Sequence, residues 1–209
     1  MILYKSVMRY GEAEIVIEKS RFIAHVMPIE KYEEGQTFIS RIKTEYKDAT
    51  HNVPVIICGP KQEYQWASDD GEPSGTSGLP MLKVLVEEGL TNLALVVTRY
   101  FGGVKLGTGG LSRAYTSLAK AGIEAADICG VVNSAIMYYN MDYTFLPKLQ
   151  NMTKDSNFDI VEIVYTDKVS VSLECLDEDS EEIASMMMNL TSGTAEFVSI
   201  EKNKKKLKI

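Results

Sequence analysis

Residues 93–126 read L-A-L-V-V-T-R-Y-F-G-G-V-K-L-G-T-G-G-L-S-R-A-Y-T-S-L-A-K-A-G-I-E-A-A, and three kinds of backbone follow one another in them. The unbroken apolar run Leu93–Thr98 reads as a continuous apolar strand. Gly102, Gly103, Gly107, Gly109 and Gly110 then break any period, which predicts backbone that turns sharply or comes close to a ligand. From Leu111 to Ala126 the apolar spacing is helical, with the helix N-terminus at Thr108-Gly109-Gly110. An apolar strand feeding a helix through glycine predicts an α/β sandwich, a sheet covered by helices on at least one face.

Upstream, S-D-D-G-E-P-S-G-T-S-G-L-P at 68–80 is a second glycine-rich loop, and a helix over Leu79–Glu88 with Leu82, Leu85 and Val86 on one face follows it. Before that loop, E-A-E-I-V-I-E and S-R-F-I-A-H-V-M-P-I alternate as two strands of a hairpin turning at Lys19-Ser20. A helix from Tyr32 to Tyr46 and a buried strand at 52–59 complete the unit. Downstream of Gly130 the order changes to strand (134–143), helix (145–153), strand (158–165), strand (169–176), helix (177–188) and strand (195–200). That βαββαβ order is the split arrangement of ferredoxin-like domains. The fold class is therefore α+β overall, with an N-terminal domain over 1–132 and a C-terminal domain over 133–205.

The 209 residues include no apolar run of the roughly 18 to 20 needed to cross a bilayer, and M-I-L-Y-K-S is not a signal peptide. A cytoplasmic protein without membrane association is expected. Cys58, Cys129 and Cys175 are too widely spaced for a disulfide framework or a zinc motif and are expected as buried thiols; no metal or cofactor is implied. Net charge is −7, which disfavours binding nucleic acid over the whole surface. Between Gly89 and Ile123, however, there is no Asp or Glu, while Arg99, Lys105, Arg113 and Lys120 are present. Such a basic window suits a confined anion site. The terminal E-K-N-K-K-K-L-K-I is read as a solvated, mobile tail.

D-A-T-H-N at 48–52, S-D-D-G-E-P-S-G-T-S-G-L-P-M-L at 68–82 and V-V-T-R-Y-F-G-G-V-K-L-G-T-G-G-L-S-R-A-Y at 96–115 closely resemble the IMPACT family in its bacterial, YigZ-like branch. The resemblance extends over residues 1 to roughly 205. It implies an N-terminal domain similar to the second domain of the fifth small-subunit ribosomal protein, and a domain pairing like the fourth and fifth domains of elongation factor G. It also implies a link to translational control, which eukaryotic relatives exert with the help of an extra N-terminal domain.

Two sets of residues carry candidate chemistry. The first is Arg99, Tyr100, Gly102, Gly103, Lys105, Gly107, Gly109, Gly110 and Arg113, where a helix start and three cations suit a phosphate or an RNA backbone. Against it stands a purely structural glycine turn, and Tyr100 with Phe101 is either a stacking platform or local packing. Nucleotide fingerprints fail: Gly102 and Gly107 have P-loop spacing, but Thr108 stands where the lysine belongs. G-G-L-S-R-A is only weakly similar to the phosphate loop of small-molecule kinases sharing this superfold. The second set is His51, Asp69, Asp70, Glu72, Ser74 and Thr76, read either as an acid–base site or as ordinary turn formers. The leading expectation is a noncatalytic protein that binds RNA, the ribosome or another translation component through the glycine-rich face. The alternative is an enzyme acting on a phosphorylated small molecule, and a protein partner on the C-terminal sheet is a third reading.

Overall fold

The computed structural model describes residues 1–209, the side chain of Asp155 excepted. It contains two compact units, residues 3–130 with 206–209 and residues 131–205 with 1–2. In the first unit the elements are β1 (Ile2–Val7), β2 (Gly11–Ile17), β3 (Ser20–Pro28), α1 (Tyr32–Glu45), β4 (His51–Cys58), β5 (Tyr64–Ala67), α2 (Gly78–Glu87), β6 (Leu93–Tyr100) and α3 (Gly107–Ala125). Five of these strands, β2 to β6, form one sheet in the order β2-β3-β6-β4-β5. Side-chain alternation divides the central strands between two cores. Val53, Val55 and Ile57 of β4 and Leu93, Leu95 and Val97 of β6 meet Met81 and Leu85 of α2 and Tyr115 and Leu118 of α3. Ile56, Ala94 and Val96 point the other way, onto Phe38, Ile39 and Ile42 of α1. A strand buried on both faces has no polar face to show, which is why residues 93–98 read as a continuous apolar run.

Several local expectations shift. The β2–β3 hairpin turns at Glu18-Lys19, one residue earlier than expected, and both residues have positive φ (46° and 64°), as a tight two-residue turn between twisted strands requires. The buried face of α2 is Met81, Val84 and Leu85, whereas Val86 is exposed. α3 begins at Gly107, four residues before Leu111, so Gly109 and Gly110 belong to its first turn. Two strands, β1 and β5, were not expected at all; both are short, β5 is largely exposed, and β1 is buried only at Ser6 and Val7.

The second unit contains β7 (Ile128–Met141), α4 (Leu146–Met152), β8 (Phe158–Tyr165), β9 (Val169–Leu176), α5 (Ser180–Leu190) and β10 (Glu196–Lys208). β9 lies antiparallel between β7 and β8, and β10 pairs with the other side of β7. The resulting β10-β7-β9-β8 order is ferredoxin-like. Met137, Tyr139, Val171 and Leu173 form one face of its core against Leu149 of α4 and Ile183 and Met187 of α5. The basic terminal run is not a mobile tail. It continues β10 to Lys208, where Lys202 pairs with Asp177 and Lys205 reaches Asp159 and Glu174 at 2.8 and 2.9 Å. Gly130, read as a break, lies within β7. All three cysteines are buried free thiols, and burial raises each thiol pKa. Among the described residues no helix is long and apolar enough to cross a membrane.

Candidate nucleic-acid interface

β5 and β6 both run antiparallel to β4, so both glycine-rich loops leave the sheet at the same end. The start of β4, at His51, and the β2–β3 turn lie at that end too, since His51 pairs with Arg99 and Arg21 with Tyr100. The two loops therefore converge. They are joined through the Glu72 carboxylate, whose Oε1 accepts from Arg99 Nη1 and from the Tyr115 hydroxyl, each at 2.7 Å.

That contact corrects the role expected of Arg99. The residue is 5% exposed, its guanidinium is paired with Glu72 and lies over the rings of Phe22 and Phe101, and its Nε has no partner. It holds the loops together and offers no charge to an anion outside. Alternation along β6 already encodes this: Arg99 follows Leu95 and Val97 on the face covered by α2 and α3. Tyr100 faces the opposite side, where its hydroxyl donates to Asp48 and Arg21 covers its ring, so Arg99 and Tyr100 do not form one surface. Phe101, at 45% exposure, is the more accessible aromatic.

The acidic loop is likewise turned inward. The Asp69 carboxylate caps α2, accepting from the N–H groups of Gly75, Ser77 and Gly78 and from the Ser77 hydroxyl. Burial alone raises the pKa of its carboxyl, but these donors outweigh burial and hold it below the usual carboxylate range. Asp70, in the left-handed region at φ 48°, accepts from the Asn52 N–H and from Lys43. The Thr76 hydroxyl donates to the Pro73 carbonyl; Ser74 is exposed. His51 Nδ1 donates to the Asp70 carbonyl at 2.7 Å, leaving Nε2 3.9 Å from Glu72 Oε2. Burial and Glu72 together push the Tyr115 hydroxyl pKa far up, so it stays protonated and a donor. No group of three or more His, Cys, Asp or Glu residues among those described is arranged to hold a metal ion.

Lys105 and Arg113 differ from Arg99. Both are exposed, and among the described residues neither takes part in an ion pair. Arg113 folds back over the first turn of α3, with Nη1 3.6 Å from where a Cβ on Gly109 would stand. No side chain caps that helix start, and its first turn holds no acid. The glycines divide by role. Gly103 and Gly107 have positive φ (86° and 69°), whereas Gly102 is needed because a Cβ there would collide with the Lys19 backbone. Gly109 and Gly110 need no positive φ. Sequence reasoning missed Ser20, which accepts from the Gly102 N–H, and Tyr115, hidden within an ordinary helical apolar stripe.

Residues 18–123 match the Impact N-terminal domain, and residues 140–194 match a domain of unknown function, DUF1949. The chain is 41% identical to the IMPACT family member YvyE of Bacillus subtilis, over 93% of this chain and 89% of that protein. It is 32% identical to an IMPACT family member of Haemophilus influenzae, over 85% of this chain and 87% of that one. Among solved structures, one described as a hypothetical protein aligns at 25% identity and a TM-score of 0.58, covering 95% of this chain and 97% of the other. The two-domain translational regulator Yih1 aligns at 24% identity over 56% of this chain and 46% of its own, with a TM-score of 0.42.

Proposed function

The chain belongs to the IMPACT family, and from that premise we propose that it acts in the regulation of translation by holding RNA backbone at the start of α3. One observation carries the reading. The first turn of a helix bears about half a positive charge, so a cation there is disfavoured, yet Arg113 lies over it with no acid beside it. An anion docked between the α3 N–H groups, Lys105 and Arg113 relieves that repulsion. The contrast with α2 supports the same reading, because there Asp69 already occupies the N-terminus. Phosphates of a flexible single strand fit an exposed site of this kind, and Phe101 offers a ring for a base to stack on.

Filter binding of single-stranded RNA over a range of salt concentrations tests this. Lys105→Ala and Arg113→Ala should each weaken binding and reduce the magnitude of the log–log salt slope by about 0.7. Unchanged slopes in both variants would rule the reading out. A second reading, an enzyme acting on a phosphorylated small molecule, draws support from the imidazole of His51 and the carboxylate of Glu72, an acid–base pair with Nε2 3.9 Å from Oε2. It requires turnover of such a compound that is lost in His51→Gln while the fold is kept.

A further inference from the structure

The ferredoxin-like unit carries a groove of about 360 Å³ between α5 and the strands β7 and β10. Met137 and Tyr139 form its floor; Ala184 and Met188 form one wall, Phe197 and Ile200 the other. Met188 is 66% exposed and Phe197 52%, so apolar surface stands open beside the core without closing over it. Glu181, Ala184 and Met188 recur along one side of α5 at spacings of three and four residues, over about 10 Å of helix.

Charge marks one end of this groove. Residues 177–182 read D-E-D-S-E-E, and Ser180 and Glu181 line the groove where α5 begins. Asp177 is paired with Lys202 and Glu178 with the N-terminal amine, but Asp179, Glu181 and Glu182 take part in no ion pair among the described residues. The positive end of α5 offsets only about half a charge. Net negative potential therefore remains at one end of an apolar, methionine-bearing trough. Methionine adapts its shape to different side chains, which suits a surface that receives a helix.

We propose that this groove binds a short amphipathic helical segment of a partner protein, with apolar anchors at i, i+3 or i+4 and i+7 and with Lys or Arg at one end. The apolar anchors lie along Met137, Ala184, Met188 and Phe197, and the basic end meets Asp179, Glu181 and Glu182. This site lies on the helix-covered side of the sheet of the ferredoxin-like unit.

The test uses the full chain and a fluorescein-labelled 14-residue peptide of leucine, alanine and lysine, patterned as an amphipathic helix with its lysines at one end. Fluorescence anisotropy should show saturable binding that weakens with added salt. A scrambled peptide of the same composition should bind at least about tenfold more weakly. Met188→Glu and Glu181→Lys, both at surface positions, should each raise Kd by about tenfold or more with unchanged far-UV circular dichroism, while RNA binding is unaffected. Absence of saturable binding, equal binding of the scrambled peptide, or an unchanged Kd in both variants would overturn the proposal. So would sedimentation showing a dimer that Met188→Glu dissociates, because a second copy would then be the occupant.

Discussion

Replacing Glu72 with alanine should be among the most damaging single changes in the N-terminal unit. The Glu72 side chain is 3% exposed and that of Arg99 5%, and Oε1 is the acceptor for both Arg99 and Tyr115. Unit charges about 4 Å apart at an effective dielectric of about 20 attract by about 4 kcal/mol. Removing one partner of a buried pair typically costs about 3 to 5 kcal/mol, because the other charge stays buried and uncompensated. Arg99 is poorly placed to recover, since its Nε already has no partner. Tyr115→Phe removes one hydrogen bond to a charged acceptor and should cost about 1.5 to 3 kcal/mol. In Glu72→Ala the Tyr115 hydroxyl has already lost its acceptor, so the double variant should be no less stable than Glu72→Ala alone. Urea unfolding followed by fluorescence of Trp66, the sole tryptophan and a residue of β5, reads this unit directly. A loss below about 1 kcal/mol for Glu72→Ala, or strictly additive losses in the double variant, would refute the view that this carboxylate joins the two loops.

His25 should make stability depend on pH. Its side chain is fully buried, Nδ1 meets the Tyr10 hydroxyl, Nε2 has no partner, and burial lowers its pKa against the raising influence of Glu12 and Glu45. For a base whose folded pKa is depressed, the unfolded chain binds more protons between the two pKa values. The contribution is thus fully present above the unfolded pKa of about 6.5 and is lost as pH falls toward the folded one, at about 1.4 kcal/mol per pH unit within that window. Urea midpoints measured from pH 7.5 to 5 should show the decline, and His25→Gln should flatten it; an equal slope in the variant would exclude His25 as the cause. Gly102→Ala, which drives a Cβ into the Lys19 backbone, should cost about 1 to 3 kcal/mol. Gly109→Ala, in the first turn of α3 with only the Arg113 side chain nearby, should be neutral or stabilising by up to about 1 kcal/mol. Equal melting temperatures for the two variants would contradict this division of the glycines.

The α+β architecture, the family and the presence of two glycine-rich loops were legible in the amino-acid sequence. Each of these rests on local information: a run such as Leu93–Thr98 has one way to bury both its faces, and glycine at 103 and 107 announces backbone that other residues resist. What each charged side chain does there was decided only by the tertiary structure. Arg99, Lys105 and Arg113 are alike as residues in a window without acids, yet Arg99 is neutralised by Glu72 from 27 residues upstream. Asp69, Asp70 and Glu72 fall within four consecutive residues, but one caps α2, one pins the start of β4 and one neutralises Arg99. The terminal lysines look like a free tail until Asp177, Asp159 and Glu174 are brought beside them in β10. The physical reason is common to all three cases. Secondary structure follows from the period of a side chain's own neighbours, whereas the state of a charge is set by whichever groups the folded chain brings within a few ångströms of it, and sequence separation does not limit which those are.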